Sequence, residues 1–203
     1  MSLTNLTEFI VEKMKRELPH FVVYHSVEHT LDVHEAAERL AVLEGLSDSD
    51  IRLVRTAALF HDSGITVSFT DHEDISADLA GQYLPSFGFN LEEIERIQRM
   101  IVATKLPQTA TTLEEKILCD ADLDYLGRGD FFIIGQKLRL EWELSDRKVS
   151  LCDWYIIQME FLRAHFYFTK SAQDLRNERK QKNLEEIEHL CTFSCNGNKN
   201  KHR

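Results

Sequence analysis

The chain has 203 residues, 43% hydrophobic and 29% charged, with a formal net charge of -10. That length suits one substantial core, and the acidic balance disfavours gripping a nucleic-acid backbone, which takes clustered Lys and Arg. A small phosphate ester is not excluded, because a bound metal ion supplies positive charge locally.

Only 3 prolines and 8 glycines imply few turns and long elements, and helical spacing dominates the apolar pattern. Leu6, Phe9, Ile10, Met14 and Leu18 predict a first helix ended by Pro19. A second is expected from His25 to Leu43, closed by Gly45, and a third is capped by Asp48 or Ser49, with Ile51, Val54, Ala57, Ala58 and Phe60 inward. Further helices are predicted over His72 to Leu84, Leu91 to Ala103 with Asn90 as cap, Thr112 to Tyr125 and Phe131 to Leu144. The aromatic-rich stretch Val149 to Phe168 reads as a buried helix, and the charged stretch Gln173 to Leu190 as an exposed one. The Asn, Lys and Gly-rich end from Cys195 to Arg203 is expected to fray. No strand alternation, repeat or linker is evident, so the fold class is all-α, in a single domain. Cys119, Cys152, Cys191 and Cys195 form no CxxC pair, and the segment Met1 to Ile10 is too polar for a secretory core. Reduced thiols, a cytoplasmic location and no membrane partner are the expectations.

Three stretches carry chemistry. His25 and His29 are four residues apart, and Asp32 and Ala36 extend the same helical stripe. A histidine pair at this spacing alone is more often an ordinary surface or core pair. His34 falls about 140° around the helix from His29 and is expected to face solvent. His61-Asp62 closes the apolar run Ala57-Ala58-Leu59-Phe60 and precedes Ser63-Gly64, a helix-ending signal. Adjacent polar residues at the inner end of a buried helix need partners, and a metal would satisfy both. Asp120, Asp122 and Asp124 interrupt a hydrophobic segment, where a nearby cation would relieve their repulsion. Periodicity leaves Asp120 and Asp122 as alternatives.

Tyr24-His25-Ser26-Val27-Glu28-His29-Thr30-Leu31-Asp32-Val33, then Ala57 to Asp62, then Cys119-Asp120-Ala121-Asp122 resemble the HD-domain metal-dependent phosphohydrolase superfamily, over roughly Tyr24 to Phe132. The resemblance implies an all-helical bundle over residues 1–195, with the metal-site core at about 24–132, a helical extension at 133–195 and a disordered tail at 196–203. It implies His29, His61, Asp62 and Asp122 as metal ligands, the family context favouring Asp122 over Asp120. Similarity to the cyclic nucleotide phosphodiesterase branch gives His25 a general-acid role, suited to a side chain that titrates near neutrality. Ser26 stands where that branch usually has Asn. His72-Glu73 resembles part of the second-metal signature of binuclear relatives, but Ala103-Thr104-Lys105 stands where they carry His-Thr. One divalent ion per chain (Mn2+, Co2+, Ni2+, Fe2+ or Mg2+) is therefore expected, with His72 as candidate ligand to a second.

Two imidazoles and two carboxylates leave open positions on a six-coordinate ion, and coordinated water becomes a better nucleophile. Hydrolysis of a phosphoester, of a nucleotide or another small phosphorylated substrate, is the leading expectation. Asp62 would also orient the attacking water. Lys105 is a candidate phosphate contact, and Arg128 a weaker one. Trp154 to Phe168 reads as core rather than as a base-stacking platform, and His165 as a buried, hydrogen-bonded histidine. A di-iron oxygenase and a non-catalytic nucleotide-binding regulator are the alternatives. The expected partner is a small phosphorylated substrate, with homodimerisation open and no nucleic acid.

Overall fold

The structure, a computed structural model, describes residues 3–196, with side chains described to Phe193. Among these residues it is all-α: α1 Leu3–Glu17, α2 Val27–Leu43, α3 Asp48–Phe60, α4 His72–Tyr83, α5 Leu91–Ala103, α6 Leu113–Asp122, α7 Phe131–Leu144, α8 Leu151–Ala164 and α9 Lys170–Asn196. Three 3-10 turns, Ser63–Thr66, Leu84–Phe87 and Asp124–Gly127, follow α3, α4 and α6. No described helix is long and apolar enough to cross a membrane.

The helix starts follow from side chains that accept otherwise unpaired amide protons. Ser26 caps α2, Ser47 caps α3 and Ser150 caps α8. Asn90 with Glu93 and Thr112 with Glu115 form reciprocal capping boxes on α5 and α6. Gly45, at φ 75°, supplies the left-handed turn that ends α2.

Two apolar clusters divide the molecule. The larger packs Leu6, Ile10 and Met14 of α1 against Leu40, Leu59, Phe60, Ile97 and Leu118. The smaller gathers Tyr24, Leu126, Phe131, Leu162 and Ile187, and draws in α7, α8 and α9. Asp122 lies between Ala121 of the larger cluster and Leu123 of the smaller, and His61-Asp62 follows Phe60 of the larger.

Several boundaries differ from the sequence reading. α2 begins at Val27, so His25 lies in the loop before the cap, not on the helix. The cap of α3 is Ser47 rather than Asp48 or Ser49. α8 stops at Ala164, freeing His165 to Thr169 to cross back over α6, and α9 starts earlier and runs on through Asn196. The expected tail thus begins inside a helix, and residues 197–203 lie outside the described ones. His34 is buried, not solvent-facing, because α3 covers that side of α2; its Nε2 accepts from Arg55 Nε at 3.2 Å. His165 is not hydrogen-bonded through its ring. Both ring nitrogens are buried without partners, and the ring packs edge-on to Tyr167 at 4.6 Å. Cys119 and Cys191 are free thiols, whereas Cys152 is disulfide-bonded, against the expectation of reduced thiols.

Candidate metal centre

His29 enters from the first turn of α2, His61 and Asp62 from the end of α3, and Asp122 from the last residue of α6. One donor atom each from His29, His61 and Asp122 lie within 4.8 Å of one another. His29 Nε2 is 3.3 Å from Asp122 Oδ1, 3.4 Å from Asp62 Oδ2 and 3.3 Å from His61 Nε2. His61 Nε2 is 3.2 Å from Asp62 Oδ2 and 3.5 Å from Asp122 Oδ1. His61 Nδ1 lies 2.8 Å from the Ala58 carbonyl, to which it donates, turning the Nε2 lone pair into the cluster.

Without a cation this arrangement is costly. Asp62 Oδ2 is buried and accepts no hydrogen bond. Burial opposes charge on all four groups, and their mutual pairing overrides it. His29 and His61 are pushed above the usual imidazole range by the two carboxylates, His61 strongly. Asp62 is held well below the carboxylate range, and Asp122 is lowered to about 2. His29, His61 and Asp122 present donors around one point, Asp62 Oδ2 lies beside both imidazoles, and imidazole with carboxylate suits a divalent first-row metal.

Each candidate residue has a definite place. Asp62 Oδ1 faces the other way, 3.4 Å from His72 Nε2. His72, the first residue of α4, also lies 3.5 Å from Glu73 Oε1 and has Nδ1 3.0 Å from the Phe69 carbonyl. Against the opposing effect of burial, the hydrogen bond and charge of Asp62 push His72 up to about 9. The stretch Ala103-Thr104-Lys105, set against the His-Thr of binuclear relatives, brings no imidazole, and the Thr104 hydroxyl donates back to Ile101 O at 2.7 Å. Lys105 is not brought to the centre. Its Nζ binds Asp71 at 2.7 Å and Asp74 at 2.6 Å, because the exposed acids at the start of α4 draw it outward. Arg128 is likewise engaged, with Asp32 at 2.7 Å and Asp130 at 2.6 Å, which takes Asp32 out of the centre too.

The three acids of α6 separate by partner. Asp120 accepts from Phe168 N and Thr169 N, both at 2.8 Å, and from the Thr169 hydroxyl at 2.7 Å. Asp124 is clasped by Arg176 at 2.7 and 2.9 Å. Only Asp122 of the three turns toward His29 and His61, so protein groups rather than a cation relieve most of the expected repulsion.

Sequence reasoning missed Glu141 of α7. Its Oε2 accepts from the backbone N–H groups of Val23, Tyr24 and His25 at 2.9, 2.8 and 3.1 Å, while Oε1 pairs with His25 Nδ1. The signal was present in the spacing Phe131, Ile134, Leu138, Glu141, an acid in an otherwise apolar helical stripe. Such an acid needs a buried partner.

His25, Asp62, His72 and Asp122 line one end of a cavity of about 820 Å3, whose other end is walled by α7 and α8. Trp154 and Phe161, read from the sequence as core, form part of that wall.

Residues 26–124 match the HD domain family. That stretch, about half of the chain, is similar to HD domains, which hold divalent metals. The match supports a metal-dependent hydrolase. Among solved structures, the fold is shared with a predicted HD superfamily hydrolase from an uncultured Thermotogales bacterium, at 22% identity and TM-score 0.59, covering 95% of this chain and 99% of that one. It is also shared with Bacillus subtilis YpgQ, crystallised in complex with ADP, at 19% identity and TM-score 0.63, covering 91% and 95%. A Lactobacillus plantarum protein aligns at 16% identity and TM-score 0.69, covering 94% and 95%. No curated protein matches the chain.

Proposed function

We propose that this chain is a metal-dependent phosphohydrolase, cleaving a phosphoester of a nucleotide or another small phosphorylated substrate. The observation that carries the reading is the convergence of His29, His61, Asp62 and Asp122 at one end of a cavity large enough for such a substrate. The HD-domain match supports it, and the YpgQ structure shows that a protein of this fold binds ADP.

These four residues would hold one divalent ion, which supplies Lewis-acid charge for a phosphoryl oxygen and a more acidic water. Asp62 contributes Oδ2 to the cluster and keeps Oδ1 on the His72 side, where it can accept a proton from water and orient it toward phosphorus. His25 has Nδ1 occupied by Glu141, which leaves Nε2 to carry a proton to the leaving oxygen. The burial of the cluster keeps bulk water from competing with these dipoles. His72 and Glu73 stand where a second cation would be drawn. A di-iron oxygenase would need a second complete ligand set, and Thr104 offers only a hydroxyl already turned back to its own helix.

The test is to strip the protein, reload it with Mn2+, Co2+, Ni2+, Fe2+ or Mg2+, and assay phosphate or nucleoside release from a phosphoester panel. Metal-restored turnover that Asp62→Ala abolishes is the expected result. Chelator-insensitive turnover, no turnover with any metal, or oxygen consumption with two irons per chain would overturn the reading.

A further inference from the structure

The family-matched segment ends at 124, yet half of the residues around the cavity lie beyond it, most of them on α7 and α8. Trp154, Ile157, Gln158 and Phe161 line this space from α8, at the spacing of one helical face. The other three are apolar or aromatic, so Gln158 interrupts this stripe as Glu141 interrupts that of α7. Glu141 is fully engaged by three backbone amides and His25. Gln158 has no such partners.

Gln158 is 8% exposed, and its carboxamide makes no hydrogen bond with any described residue. Nor is it sealed away. The Trp154 indole nitrogen is buried out of reach, whereas the Gln158 oxygen and nitrogen keep accessible surface, and the residue borders the cavity. Its place is made on α7, where a Cβ at Gly135 would stand 2.3 Å from Gln158 Nε2. Glycine is unfavourable inside a helix, and here it leaves the room in which the amide lies.

A buried carboxamide without partners is costly, because its donors and its acceptor have both given up water. The group holds an acceptor and donors side by side. A ligand that answers both at once also carries a donor and an acceptor on neighbouring atoms, as an amide or lactam does. A carboxylate brings acceptors alone. Arg147, the cation among the lining residues other than histidine, is exposed, with its guanidinium 3.4 Å from the centre of the Trp142 ring.

We infer that Gln158 is the specificity residue of the cavity, gripping a neutral amide or lactam edge on the body of the substrate. The inference rests on the phosphohydrolase reading only for what that body is attached to.

Benzamide and acetophenone test it, being close in size while acetophenone carries the acceptor without the donor. Titrated into the metal-free protein, benzamide should bind about tenfold tighter, the effect of one neutral hydrogen bond. The side-chain amide resonances of Gln158, identified by their loss in Gln158→Met, should move with benzamide. Gln158→Met keeps the length and removes the hydrogen bonding, so it should erase the preference. Gly135→Ala, which suits the helix but pushes the amide out of its place, should erase it as well. Equal binding of the two probes, unmoved Gln158 resonances, or a preference that survives either substitution would overturn the inference. Selective binding of benzamide, with no turnover of the phosphoester panel under any metal, would uphold it while sinking the hydrolase reading. Metal-restored turnover in a protein that does not distinguish the two probes would do the reverse.

Discussion

Glu141 ties the loop before α2 to α7 through one carboxylate. One oxygen gathers three consecutive backbone amides and the other fixes the His25 ring. Burial works against its charge, but the pairing with His25 and those amides keeps Glu141 below the usual carboxylate range. It acts through His25 and does not reach the metal cluster, so it is a positioning residue. Replacing it by Gln keeps the size and one acceptor but removes the charge and half the grip on His25. Turnover of Glu141→Gln should fall by about ten- to a hundredfold in kcat, with KM and metal content near wild type. Equal losses in metal content and turnover would show instead that the residue merely holds the fold.

At the scale of elements, the centre depends on how closely the turn after α3 approaches α4. Gly64 follows His61-Asp62 by two residues, and its N–H donates to the Ser76 hydroxyl at 2.8 Å. A Cβ there would lie 2.1 Å from the His72 carbonyl oxygen and 2.8 Å from Ser76 N. Both atoms are backbone, so neither can swing away. Gly64→Ala should destabilise the protein by about 1–3 kcal/mol in a denaturant melt, and should move His72 away from Asp62. A wild-type melt would refute that packing.

The same helices show what the sequence made legible. Caps and periodicity placed α5 and α7 at their observed bounds and the end of α1 to within a residue or two, because Pro19, Asn90 and the apolar stripes are local signals. The ligand types and their order were legible as motifs. Which α6 acid faces the cluster was not readable from periodicity, since the partners of Asp120 and Asp124 come from Thr169 and Arg176, far along the chain. The inward side of His34 was hidden for a similar reason: α3 covers it, and no spacing within α2 reports that. Lys105 stands beside the centre in sequence, yet the acids of α4 decide where its amine goes.

For the whole molecule, His34 links the α2–α3 interface to acid stability. Burial, with Arg55 alongside, lowers it from the ordinary 6.5 to about 4. The unfolded chain thus takes up this proton before the folded one. The stabilisation is present in full above pH 6.5 and drains away as pH falls toward 4, at no more than about 1.4 kcal/mol per pH unit. His34→Gln, which keeps an acceptor for Arg55, should flatten the stability profile between those limits relative to wild type under identical metal conditions. Parallel profiles would mean that His34 takes up its proton equally in the folded and unfolded chain, and would refute the lowering.

Metal stoichiometry tests the central claim most directly, with wild type, Asp62→Ala, Asp122→Asn and Asp120→Asn each stripped, reloaded and assayed by elemental analysis. Wild type should retain about one divalent ion per chain, held by two imidazoles and two carboxylates. Asp62→Ala and Asp122→Asn should lose it, while Asp120→Asn, whose carboxylate serves Phe168 and Thr169, should keep it. Wild-type metal content in Asp62→Ala or Asp122→Asn would contradict the assignment of the centre.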